Sequence, residues 1–156
     1  MRKEERDMTE TKVRKRFVYE GFGFPVVLLN VPMVKVRGAW TPKVNYNHLA
    51  EDVLVALAGK PARLTGSEVR FIRQHFEMTL TQFGDRFSVN HPAVLKWEDA
   101  GDEATAMKWP VEKDIRLFIL DALKAKDTDL AAPYRHLKKE AKTVGKPIEM
   151  DVAKAA

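Results

Sequence analysis

An α+β fold is predicted: a small antiparallel β unit with one helix, followed by an all-α segment of short, separately capped helices. Three observations carry this. Residues 14 to 39 are β-branched and aromatic runs punctuated by Gly and Pro. Residues 49 to 57 place Leu49, Val53, Leu54 and Leu57 at helical spacing. Two capping boxes, Thr65-Gly66-Ser67-Glu68 and Thr79-Leu80-Thr81-Gln82, lie close together and each opens a run with apolar helical periodicity.

The expected organisation is a flexible basic tail over 1–13, a β-plus-helix unit over 14–60, a helical domain over 61–143, and a second flexible tail over 144–156. Residues 1–13 are dense in mixed charge and poor in apolar side chains, which predicts mobility. Phe17-Val18-Tyr19, then Val26 to Leu29, then Val31, Val34 and Val36 predict two or three short strands. Gly21-Phe22-Gly23 is a fragment of a phosphate-loop pattern, but without a third glycine or a following helix it does not point to a nucleotide. Asn45 or Asn47 is placed to cap the helix that follows, and Gly59-Lys60-Pro61 stops it. A unit of fewer than about 60 residues has little core of its own, so it is expected to pack on the rest of the chain or on another protein.

In the helical domain, Thr65 caps a first helix whose inward face is Val69, Ile72 and Phe76. Thr79 and Gln82 box a short second helix with Phe83 and Phe87 inward and Gly84 between them, where a neighbour can approach closely. Ser88 and Val89 turn the chain, and Asn90 caps a third helix that tolerates Pro92 in its first turn. Val94 and Trp97 point inward, which leaves His91, Pro92, Ala93, Leu95 and Lys96 on the outer face. Ala100 to Trp109 is expected to be a loop or a loose turn of helix on the surface. Pro110 opens a longer helix with Ile115, Phe118, Ile119, Ala122 and Leu123 inward, and a last helix is expected over about Pro133 to Lys142.

Two helices joined by so short a turn make a helix-turn-helix, in which the second helix offers its N-terminal residues to base edges in the DNA major groove. Residues 64 to 98, ending in Trp97-Glu98, resemble the helix-turn-helix of Xre and phage-repressor proteins. That resemblance covers about a quarter of the chain. It implies base reading by His91, Pro92, Ala93, Leu95 and Lys96, with phosphate contacts from Thr79, Thr81, Gln82, Arg86 and Asn90. The family commonly has glutamine directly after the second helix's cap; Leu80 stands here, so that contact falls to Thr81 or Gln82.

The order of a Val31-Pro32 strand, a Gly38/Trp40/Pro42 turn, a helix and the run from Leu64 to Arg73 also resembles MqsA/HigA-type antitoxins. This implies a dimeric repressor of its own operon on a palindromic operator, with a toxin held by the N-terminal unit. Trp40, Phe22 and Phe24 are the aromatic candidates for that partner contact. The zinc-binding cysteine pairs of one branch are not carried over, because the chain has no cysteine. A phage regulator of the same fold and an adaptor whose helix-turn-helix serves protein contact are the alternatives.

Composition bounds the rest. The net charge is +5 with a pI near 9.4, which favours a polyanionic partner. Its distribution qualifies this: residues 1–16 hold seven Lys/Arg against four acids, while residues 61–101 hold five of each. The orientation of Arg63, Arg70, Arg73, Arg86 and Lys96 therefore decides the matter. Absent cysteines exclude a disulfide frame and a thiol nucleophile, and suit a cytoplasmic location. Apolar runs are too short for a membrane span. The four histidines lack metal spacing, and Ser67 and Ser88 sit at helix ends or turns, so no enzyme, metal or cofactor is expected.

Overall fold

A computed structural model describes residues 10–123 and 145–155. Its architecture is α+β, with a four-stranded sheet and short helices packed on a shared core. β1 (Thr11–Tyr19) and β2 (Val26–Val36) form a long antiparallel hairpin, and β3 (Ala39–Pro42) folds back on the far half of β2. The β2–β3 connection is two residues, Arg37 at φ 52 and Gly38 at φ 82, the positive pair that a type I′ turn demands. α1 (Tyr46–Ala58) follows, capped by Asn45, whose side chain accepts from the His48 amide.

α2 (Gly66–His75), α3 (Leu80–Arg86), α4 (His91–Glu98) and α5 (Trp109–Leu123) come next. β4 (Ile148–Asp151) then pairs in parallel with Val26 to Leu29, and α6 (Val152–Ala155) ends the described chain. β2 is thus the central strand: β1 lies along one side, while β3 and β4 share the other.

Alternation along β2 is broken by Asn30, at φ 53. Before it Val26 and Leu28 enter the core; after it Val31 and Met33 do, so the inward register changes parity at one left-handed residue. Asn30 Nδ2 donates to Asp151 Oδ2 at 3.0 Å, tying this kink to the end of β4.

A single cluster joins sheet and helices: Val26, Leu28 and Met33 from the sheet, Leu49, Val53 and Leu57 from α1, Ile72, Phe83 and Trp97 from the three short helices, Ile115 and Ile119 from α5, and Val152. The β1–β2 connection meets α2 through aromatic rings, Phe22 at 5.0 Å and Phe24 at 5.4 Å from Phe71. The boundary expected at residue 60 is therefore not a break in packing.

Beneath the α1–α2 connection lies a buried ionic network. Glu112, fully buried, receives Arg63 Nε at 2.9 Å, the Leu64 amide at 3.3 Å and Arg116 Nη2 at 2.8 Å. Arg116, equally buried, also donates to the carbonyls of Ala58, Lys60 and Ala62 at 3.3, 2.7 and 2.7 Å, so it serves the carbonyl end of α1. Beside it Lys60 Nζ meets both oxygens of Glu68 at 2.7 and 2.9 Å. Satisfied on every side, these charges define how α1, its connection and α5 fit together.

Four expectations are corrected. The N-terminal tail does not extend to residue 13, because Thr11, Lys12 and Val13 pair with Val34, Met33 and Pro32 through the main chain. Their side chains stay exposed, so no apolar pattern announces them. The C-terminal tail is not free over its whole length: residues 148–151 complete the sheet, a pairing with a strand more than a hundred residues away. Residues 100–109 are not a loose surface loop. The amides of Gly66 and Ser67 donate to Glu103 and Gly101 carbonyls and that of Thr105 to Leu64, while Thr105 and Met107 are buried. On α5, Ile115 and Ile119 are buried as expected and Phe118 and Leu123 partly so, but Ala122 is exposed. The helix expected over 133–142 lies outside the described residues.

Candidate nucleic-acid interface

Local sequence chemistry builds the α3–α4 unit. Thr79 Oγ1 accepts from the Gln82 amide at 3.1 Å and Gln82 Oε1 accepts from the Thr79 amide at 2.9 Å, the reciprocal box expected. Because Oε1 is fixed on an N–H donor, the Gln82 Nε2 group is left facing outward to donate elsewhere. Asn90 repeats the arrangement at α4, Oδ1 accepting from the Ala93 amide at 3.1 Å. Thr79, Thr81, Gln82 and Asn90 are all exposed.

The turn between the helices is held by its backbone. Phe87 closes α3, Ser88 takes φ 61, and the Val89 amide donates to Gly84 O at 2.9 Å. A Cβ at Gly84 would stand 2.6 Å from Val89 O, so the close approach expected there is present and only glycine permits it.

α4 is then fixed from inside. Val94 is fully buried, Trp97 is nearly so, and Phe83 and Phe87 stack edge to face at 4.8 Å beneath them. Its C-terminal end is clamped by Arg73 of α2, whose Nε and Nη2 grip the two oxygens of Glu98 at 2.6 and 2.9 Å while Nη1 donates to Met78 O at 2.9 Å. That hydrogen bonding to Glu98 raises the Arg73 pKa above the ordinary arginine value, overriding the opposing effect of burial. Glu98 of the Trp-Glu pair is thus a structural partner, and Arg73 is not a surface cation.

What α4 leaves outside is the face expected: His91, Pro92, Leu95 and Lys96 are exposed and Ala93 is half-buried. Leu95 keeps 46% of its surface in solvent, much for a leucine beside a core.

Other expected residues are placed differently. Arg86 turns toward α5, 3.5 Å from Asp114 and stacked over Phe87 and Phe118 at 4.9 and 5.1 Å from the ring centroids. A phosphate contact by Arg86 would require releasing that pair. Phe24 is a core residue, 6% exposed, and is withdrawn as a partner anchor. Phe22 is half-buried with one ring edge against Tyr19 and another face toward Phe71. Trp40 remains half-exposed, but Lys12 Nζ sits 4.0 Å over its ring.

The electrostatics follow from these placements. Of the five cations in residues 61–101, Arg63, Arg73 and Arg86 are held by Glu112, Glu98 and Asp114. Arg70 and Lys96 are exposed and form no ion pair among the described residues, where the acids Glu77, Asp85 and Asp99 are also exposed. Net positive charge is therefore not concentrated on this unit. Sequence spacing did not reveal the Arg73–Glu98 and Arg63–Glu112 pairs, since 25 and 49 residues separate the partners. Within the buried ionic network the i,i+4 spacing of Glu112 and Arg116 is a local signal.

Elsewhere a cleft of about 360 Å³ lies at the start of α1 between Pro32, Val44, Leu49 and Val152. His48 and Asp52 pair at its rim at 3.5 Å, with no serine, threonine or tyrosine among the lining residues. Among the described residues no group of three or more His, Asp or Glu is placed to hold a metal, and no helix is long and apolar enough to cross a membrane. Comparison with protein-family models, with curated proteins and with solved structures finds no match to this chain.

Proposed function

We propose that this chain is a sequence-specific DNA-binding regulator in which α4 enters the major groove. One observation carries the reading: a short helix is locked from beneath by Val94 and Trp97 and at its end by Arg73–Glu98, yet His91, Pro92, Leu95 and Lys96 stand in solvent. In this role Lys96 and His91 are the donors to guanine acceptors or phosphate, and Ala93 and Leu95 are the apolar contacts for thymine methyls. Thr81, the free amide groups of Gln82 and Asn90, and the Thr79 hydroxyl flank them as neutral phosphate donors.

On this reading a homodimer binds a palindromic operator with half-sites about one helical turn apart, the arrangement used by dimeric helix-turn-helix repressors. Within this proposal the chain is the antitoxin of a toxin–antitoxin pair, as the resemblance to MqsA/HigA-type antitoxins implies, and it binds rather than catalyses. The toxin contact falls on the Trp40 side of the sheet, since Phe24 is committed to the core.

DNA retardation tests the proposal with a duplex selected by the wild-type protein from a random-sequence pool. His91→Ala and Lys96→Ala should each weaken binding to that duplex by about 1–3 kcal/mol, roughly five- to 150-fold, with little effect on thermal stability because both side chains are exposed. Unchanged affinity in both variants would remove α4 as the reading helix. A second reading, a protein-contact adaptor, is favoured by the near-neutral charge of residues 61–101 and the exposed Leu95. It predicts no salt-sensitive DNA binding.

A further inference from the structure

Among the described residues the positive charge is concentrated on the sheet. Residues 10–45 hold seven Lys/Arg against two acids, a net +5 that equals the charge of the whole chain, whereas residues 61–101 are neutral. We infer that the basic half of the sheet, Arg14, Lys15 and Arg16 on β1 with Arg37 at the β2–β3 turn, is a second DNA contact surface that grips the phosphate backbone. The inference rests on the DNA reading above and adds to it the site that supplies most of the salt-dependent affinity.

These four cations differ from most of the other arginines in being unheld. Arg63, Arg73, Arg86 and Arg116 are each paired with a carboxylate; on the sheet itself Lys35 lies 3.6 Å from Glu10, and Lys12 is over Trp40. Arg14, Lys15, Arg16 and Arg37 are exposed and form no ion pair among the described residues. Arg14 rests only against the Phe17 ring, 5.7 Å from its centroid, which leaves its N–H groups free. Three consecutive like charges repel one another, and a polyanion turns that repulsion into attraction. Guanidinium groups suit phosphate in particular, because the planar fork donates to two oxygens at once.

Placement agrees. Every residue from Thr11 to Arg16 is exposed, and β1 is an edge of the sheet with no strand beyond it among the described residues. The other end of β1 is the one tied to the helices, through Tyr19, Phe22 and Phe71. At about 3.3 Å per residue, Arg16 and Arg14 lie roughly 10 and 17 Å along the strand from Tyr19. The basic half therefore reaches away from α2 and is left open to a ligand. Self-association through this edge is disfavoured, since antiparallel pairing of two β1 strands would set Arg14-Lys15-Arg16 of one copy near the same residues of the other.

The test uses the full chain with Arg14, Lys15 and Arg16 all changed to Gln, and separately Arg37→Gln on the neighbouring strand. Affinity is measured over a salt series for the selected duplex and for a scrambled duplex of equal length. The triple variant should melt like wild type, lose affinity for both duplexes in parallel, keep the ratio between them, and show a salt slope shallower by about 0.9 for each phosphate contact removed, roughly two to three in all. Arg37→Gln should reduce the slope by about one. If wild type binds the selected duplex but neither variant alters affinity or slope, the sheet is not a DNA surface and the α4 proposal stands alone. If wild type binds both duplexes equally and the triple variant abolishes this, the sheet assignment holds and the α4 reading fails. Wild type that binds no duplex overturns both.

Discussion

Glu112→Ala is expected to destabilise the protein by about 3–5 kcal/mol, because it strands the fully buried Arg116 guanidinium without its counter-charge. Arg63 Nε and the Leu64 amide lose an acceptor in the same step, so the penalty is the loss of the pair together with the unmet demands of its neighbours. A double replacement, Glu112→Leu with Arg116→Met, removes both buried charges and should recover part of the loss. Recovery should be incomplete, since the carbonyls of Ala58, Lys60 and Ala62 then lack the donor that Arg116 supplied. Chemical denaturation of the three proteins checks this. If Glu112→Ala costs under 1 kcal/mol, the network is not the joint between α1 and α5 described above.

The second large effect is expected from Gly66→Ala. An added Cβ would stand 2.5 Å from Trp97 O, 2.6 Å from Gly101 N and 2.7 Å from Glu98 O, all backbone atoms at the end of α4. None of them can rotate aside, so α2 and α4 must separate, at an expected cost of about 1–3 kcal/mol. Alanine's better helix propensity, worth up to about 1 kcal/mol, offsets only part of that. Because the strain falls on the carboxyl end of the helix that carries Lys96, affinity for the selected duplex should drop as well, at a temperature where the variant remains folded. Denaturation and retardation on the same preparation separate the two effects. Unchanged stability together with unchanged DNA binding would mean that this contact does not position α4.

Much of the helical part was legible because its signals are local. Thr65 with Glu68, Thr79 with Gln82, and Asn90 are caps whose partners lie within three residues, and the structure makes each bond they announce. Gly84 was recognised as a point of close approach for a similar reason, since a glycine between Phe83 and Phe87 has few other uses in so short a helix. What escaped was non-local or apolar-silent. Thr11 to Val13 join β1 through backbone pairing while their side chains stay in water, and β4 reaches β2 from the far end of the chain.

Charge was the least legible property. Arg63, Arg73 and Arg86 look alike in the sequence as possible phosphate contacts, but their carboxylate partners make them internal or paired. Phe24 shows the same difficulty among aromatics: it reads as a candidate partner contact, and Phe71 instead holds it in the core. Only three-dimensional pairing distinguishes such residues from Arg14 or Trp40.

Amide chemical-shift mapping on titration with the selected duplex tests the central claim most directly. The proposed docking requires the strongest perturbations at Thr79 to Gln82 and at Asn90 to Lys96, with Val53, Leu54 and the other buried positions of α1 nearly still. Perturbations that pass over Asn90 to Lys96 while wild type plainly binds the duplex would contradict it.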